Sequence, residues 1–139
     1  MQEIPGGKDE LELAALQVAY AHAGGIARAD EIGRLLADHG PRTFISVAQL
    51  VADQDVFGFE CDGYFWLPMF QFGPTDLAIK PGPRQIRADL GPEFDGRAVS
   101  AWFVEPNVWL RDRRPIDLVD SHLPAVLQAA RVDRFVATG

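Results

Sequence analysis

Apolar positions recur at helical spacing through the first 51 residues. They give way to an aromatic, β-prone run at 56–67 and return to helical spacing from residue 83 onward. Leu13, Leu16 and Tyr20 share one face of a first helix, which Asp9 can cap. Glu10 and Glu12 suit its positive end, and Gly24-Gly25 ends it. Residues 1–8, with Pro5, Gly6 and Gly7, read as a loose tail. A second helix is expected over 29–39, with Asp30 as cap, Ile32, Leu35 and Leu36 as stripe, and Gly40-Pro41 as stop. A third, short helix begins at Ser46. Ser46 with Gln49 matches a capping box, and Val47, Leu50 and Val51 make its buried face.

The run VFGFECDGYFWL predicts two short strands, 56–60 and 64–67, joined at Asp62-Gly63, a hairpin turn signal. The following segment is punctuated by Pro68, Pro74, Pro81 and Pro83. It keeps Met69, Phe70 and Phe72, so it is expected to pack along the body as a loop. A helix over 83–90 stops at Gly91-Pro92. Another, over 96–105, is capped by Asp95, turns Val99, Trp102 and Phe103 inward, and ends at Pro106, because the residue before a proline leaves the helical region. Pro115 can open a further short helix with Asp117 near its positive end. The last helix is expected over 121–136, with Ser121 as cap and Pro124 in its first turn. The expected fold is mainly α: a compact helical domain with one small β-hairpin near the middle of the chain. The expected regions are 1–55 (degenerate helix-turn-helix-like), 56–82 (hairpin and connecting loop) and 83–139 (helical).

The last helix is apolar almost all round. Val126, Ala130, Leu123 and Leu127 form one side, Ala129, Val136 and Val132 a second, and Phe135 points to a third. A one-sided surface helix would show a polar half. This helix is therefore expected to pack one face on the helix bearing Trp102 and to present another to a partner or a second copy. The stem of Arg134 lies on the Leu123, Leu127 and Ala130 side, with its head reaching out.

Composition narrows the function. The 139 residues are 47% hydrophobic, enough for a real core without disulfides or metals. The net charge is −7, all of it in residues 1–80; residues 81–139 are balanced. An acidic half repels phosphate backbones. Cys61 stands alone, the N-terminus has no signal-peptide pattern and no stretch matches a membrane span, so a cytoplasmic protein without membrane contact is expected. His22, His39 and His122 have no metal-ligand spacing. Glu60 and Asp62 beside Cys61 raise a thiol pKa and disfavour a nucleophile. No phosphate loop, GxSxG or GxGxxG occurs. No enzyme activity, catalytic residue, metal or cofactor is expected.

Three helices and a hairpin have the outline of a winged helix-turn-helix. The segment in the recognition position, SVAQLVADQD, carries no cation, and Glu60 and Asp62 add acid to the wing. Recognition helices ordinarily place phosphate-pairing cations beside the base-reading side chains.

The most specific stretch is AWFVEPNVWLRDRRPIDLV, residues 101–119. The tryptophans are expected in the core and Asn107 at a cap. The order W-F-x-x-P-N-x-W-L (Trp102, Pro106, Asn107, Trp109, Leu110), then R-P-I-D-L (Pro115, Asp117, Leu118) and a closing helix with V-L-x-A-A-R, resembles the toxin-binding domain of the Xre/MbcA/ParS antitoxins. Phe70-Gln71-Phe72 is similar to a segment that precedes that domain. The resemblance covers about residues 64–137. The chain departs from it at Gly73, where the family commonly has Asp, and at Arg111-Asp112-Arg113, where the family often has a glycine.

The resemblance implies a small helical protein that forms a homodimer and neutralises a cognate RES-domain toxin, an enzyme that consumes NAD or transfers ADP-ribose, by occluding its active site. The implied toxin-binding residues are Arg131, Arg134, Phe135 and the tail to Gly139. For Arg131 and Arg134 simple compensation of the helix dipole is an equal reading. The alternatives are a DNA-binding transcriptional regulator of winged-helix type and an orphan protein-interaction adaptor of the same fold.

Overall fold

The structure is a computed structural model that describes residues 7–39 and 46–139. The first helix, α1 (Gly7–Tyr20), begins before Asp9. Gly7 and Lys8 are thus helical rather than tail, and residues 1–6 of the expected tail lie outside the described residues. Asp9 is a first-turn acid instead of a cap; with Glu12 it holds Arg97, at 3.2 and 2.6 Å. A short 3-10 turn, Ala21–Ala23, ends on Gly24 in the left-handed region (φ 92°).

The chain then forms β1 (Ile26–Arg28), α2 (Ala29–His39), α3 (Val47–Ala52), β2 (Phe59–Cys61) and β3 (Tyr64–Pro68). The bounds of α2 are those expected; its Gly40-Pro41 stop lies outside the described residues. Asp30 sits inside its first turn and pairs with Arg28 at 3.0 Å rather than capping. Ser46 does cap α3, its hydroxyl accepting from Gln49 N, whereas the Gln49 side chain turns to Asp53, so only half of the capping box forms. Asp62 and Gly63 both have positive φ, 53° and 80°, the geometry of the tight hairpin turn that Asp-Gly favours. The sheet is antiparallel in the order β1-β3-β2, with Arg28 and Phe59 flanking Trp66 from either side.

After a 3-10 turn at Met69–Gln71 come α4 (Pro81–Leu90), α5 (Gly96–Val104), a 3-10 turn at Val108–Leu110, α6 (Pro115–Leu118) and α7 (Leu123–Thr138). Asp95 caps α5, accepting from Ala98 N at 2.9 Å. Ser121 does not cap α7. The capping position is His122, whose ring nitrogen Nδ1 lies 2.8 Å from the Ser121 hydroxyl. The fold is mainly α with one small sheet in mid-chain, and no helix among the described residues is long and apolar enough to cross a membrane.

Two apolar clusters hold these elements. One sits under α2, α3 and the sheet and contains Ile32, Val47, Leu50, Val56, Leu67 and Phe72. The other joins the two ends of the chain: Tyr20, Phe57 and Phe70 meet Ile86, Val99, Phe103 and Val126. Phe57 stacks flat on Phe103, with ring centroids 5.5 Å apart, and the Tyr20 hydroxyl donates to Ser100 O at 2.6 Å. The junction is close enough to require glycine. A Cβ on Gly96, at the start of α5, would strike the carbonyl oxygen of Gly58. Gln71, buried in the proline-rich loop, ties that loop down: its side-chain oxygen accepts from Phe57 N, and its amide donates to the carbonyls of Phe57 and Pro68, all at 2.8–2.9 Å. With every polar atom paired, burial of Gln71 costs little.

Candidate functional site

The block at 101–119 is organised around a residue the sequence did not single out, Asp133 on α7. Trp102 Nε1 donates to its Oδ2 at 2.7 Å, Asn107 Nδ2 to the same oxygen at 3.1 Å, and Trp109 Nε1 to Oδ1 at 2.9 Å. An indole has one N–H and needs an acceptor when covered. A carboxylate offers two oxygens and binds donors more strongly than a neutral acceptor. One acid thus fastens three residues of the motif to the closing helix. A sequence signal existed: Asp133 is the sole acid of α7, and two tryptophans lay upstream without an assigned acceptor.

The other motif residues play distinct parts. Asn107 is buried and caps the 3-10 turn, its side-chain oxygen accepting from Trp109 N at 2.9 Å. Its backbone is ordinary extended chain, so it supplies no unusual dihedral. Pro106 is exposed and stops α5, whereas Leu110 is in the core. Arg111 and Asp112 both take left-handed backbone, φ 57° and 63°. Pro115 and Leu118 are buried, while Asp117 holds Arg114 at 3.1 Å. Arg114 also lies 2.7 Å from His22 Nε2 and donates to Ala19 O, clamping α6 to the end of α1. Trp102 is core at 8% exposure, but Trp109 is 53% exposed and stands on the surface.

α7 packs mainly on α4, and it meets the helix bearing Trp102 in the shared apolar cluster and through the Trp102–Asp133 bond. Val126, Ala129 and Ala130 are its buried face. Arg131 pairs with Asp89 of α4 at 3.0 Å. The Arg134 side chain folds over Gly91, the left-handed residue that ends α4, and makes no ion pair among the described residues. Phe135 and Val136 project outward at 76% and 65% exposure, and Gly139 closes the helix by donating to Phe135 O. Arg134, Phe135 and Gly139 are therefore accessible together at the free end of α7, while Arg131 lies one turn back in a surface ion pair. Such a pair holds with only about 0–1 kcal/mol. Val108, 70% exposed, and Trp109 add further apolar surface at the other end of the Asp133 hub.

A cleft of about 490 Å³ opens beside the hub, lined by Trp102, Glu105, Asn107, Val108 and Asp133 among others. It holds the Glu105, Asp112 and Asp133 carboxylates and the edge of the Trp102 indole, and no nucleophile paired with a base is among its lining residues. Among the described residues no group of His, Cys, Asp and Glu could hold a metal ion. Cys61 is buried, and its thiol is pushed up first by that burial and then by the Asp62 and Asp9 carboxylates. No family model, curated protein or solved structure matches the chain.

Proposed function

We propose that the chain is an antitoxin-like binding protein, acting as a homodimer, that neutralises a RES-domain toxin by inserting the end of α7 into the toxin's active-site cleft. The observation that carries the reading is the free end of that helix. Its root is anchored on α4 and the tryptophan motif, while Phe135 and Val136 stay bare and the Arg134 guanidinium has no ion-pair partner among the described residues. A rigid root with an apolar anchor and a planar cation at its tip suits insertion into a cleft that carries carboxylates or other acceptors. The left-handed backbone at Arg111 and Asp112 lends further support. It lies where the resembled family often has a glycine, the residue that such backbone favours.

Arg134→Glu, and separately a chain ending at Arg134, are expected to release toxin activity while keeping the helical signal and thermal midpoint. The cut belongs after Arg134, because one after Val132 would also remove Asp133 and loosen the motif. Full inhibition by both variants would remove the tail from the mechanism.

One observation favours a second reading. β1 pairs with β3 and completes the α1-β1-α2-α3-β2-β3 connectivity of a winged helix. α3, VAQLVA, presents no cation, and Asp53 and Asp55 follow it. A salt-sensitive, sequence-specific mobility shift with DNA from the protein's own promoter would establish DNA binding; none is expected.

A further inference from the structure

We propose that the cavity between the proline-rich loop and α6 binds a small amphipathic carboxylate, an acyl or aryl acid whose apolar body fills the cavity and whose carboxylate pairs with Lys80. The cavity measures about 480 Å³, within the roughly 300–1,000 Å³ usual for small-molecule sites. Its walls are apolar. Met69, Phe70, Phe72 and Leu77 come from the loop, and Ile116 and Val119 from α6 and its end. Met69, Leu77 and Ile116 are only half-buried, so apolar surface is open to a ligand here. The loop is closed at its base: Phe72 bridges Ile79, Gly73 N donates to Ala78 O at 2.7 Å, and the Asp76 carboxylate accepts from Ala78 N at 3.1 Å. Within that turn Leu77 takes left-handed backbone (φ 55°), which a branched side chain seldom adopts. Such strain gathers at ligand sites.

Charge selects the ligand. Lys80 and Asp120 are the only charged residues among those lining the cavity, and they pair at 2.8 Å. The two are unequal. The Lys80 side chain is 29% exposed and its backbone N–H is held by Gln71 O at 2.9 Å, whereas the Asp120 side chain is 69% exposed. Asp120 can swing into water at little cost, because an exposed ion pair is weak. The Lys80 ammonium stays at the cavity and meets the incoming carboxylate in its place. A cationic ligand would have to displace Lys80, a part of the wall, to reach an acid that water already solvates. No lining residue belongs to α7, so the site is separate from the surface proposed to meet the toxin.

Decanoate is the probe, titrated into the full chain with isotope-labelled methionine and isoleucine methyl groups and followed by NMR. Saturable shifts at Met69 and Ile116 are expected, together with a thermal midpoint that rises with decanoate concentration. Lys80→Met, which keeps the apolar stem, is expected to weaken binding about tenfold. Asp120→Asn is expected to tighten it several-fold, because the competing carboxylate is gone. That substitution is at an exposed residue, so it keeps the test open even where Lys80→Met disturbs the fold. Decyltrimethylammonium, with the same chain and the opposite charge, is expected to bind far more weakly than decanoate. Absent or unsaturable shifts at Met69 and Ile116, equal binding of the two probes, or an affinity that neither variant alters would overturn the inference.

Discussion

At the scale of single residues, Asp133 does more than any other side chain to shape the candidate site. Asp133→Ala would leave the covered indole N–H of Trp102 without an acceptor and free Asn107 and Trp109. A loss of about 2 kcal/mol in urea unfolding is expected, with Trp109 emission shifting to the red as the ring comes free. Trp109→Phe removes only an exposed donor and should cost well under that. Tyr20 gives a pH signature. Burial raises its phenol above the usual value, so the folded state resists ionisation. The contribution is therefore fully present below the unfolded tyrosine value of about 10 and is lost above it, at roughly 1.4 kcal/mol per pH unit. Tyr20→Phe should be about 1 kcal/mol less stable at pH 7, through loss of the Ser100 bond. The wild-type and variant stability curves should converge above pH 10 and cross about one unit higher. Parallel curves would mean that the phenol ionises freely in the folded protein.

At the scale of elements, what was legible in the sequence is what short-range chemistry sets. The Asp62-Gly63 turn, the bounds of α2, the Asp95 cap and the Pro115 helix start follow from local backbone preferences and appear as read, whereas the strand expected over 56–60 is Phe59–Cys61. β1 was not legible. Three residues cannot display a period, and Ile26–Arg28 is a strand only because β3 pairs with it from forty residues away. The caps assigned to Asp9, Asp30 and Ser121 failed for a related reason. A carboxylate or hydroxyl near a helix start can serve tertiary or neighbouring partners instead, as Arg97, Arg28 and His122 show. Gln71 was not legible as a structural centre because its partners lie on other segments, and Asp133 showed only as the single acid of α7, with its donors far upstream. The turn after Leu110 carries its own prediction. Arg111→Gly should change stability by no more than about 0.5 kcal/mol, because relief of left-handed strain offsets the entropy glycine adds to the unfolded chain. Arg111→Val should cost about 1–2 kcal/mol by thermal unfolding. An equal loss for both would mean that the guanidinium, not the backbone, matters there.

At the scale of the molecule, one apolar cluster ties the N-terminal elements to the C-terminal helices, and among the described residues two of the exposed apolar regions lie far apart in the sequence. One is the outward face of α1, with Leu11 and Val18. The other is the free end of α7, with Trp109 and Val108 beyond the Asp133 hub. The net charge of −7 in the first 80 residues disfavours nucleic acid as a partner of that half. The most direct measurement is a tagged pull-down from the native cell, read by mass spectrometry, run in parallel with the full chain and the chain ending at Arg134. The expected result is stoichiometric recovery of a RES-domain enzyme with the full chain and its loss with the shortened one. Recovery of the bait alone in both, or equal recovery of the enzyme by both, would contradict the proposal that α7 delivers the inhibiting contact.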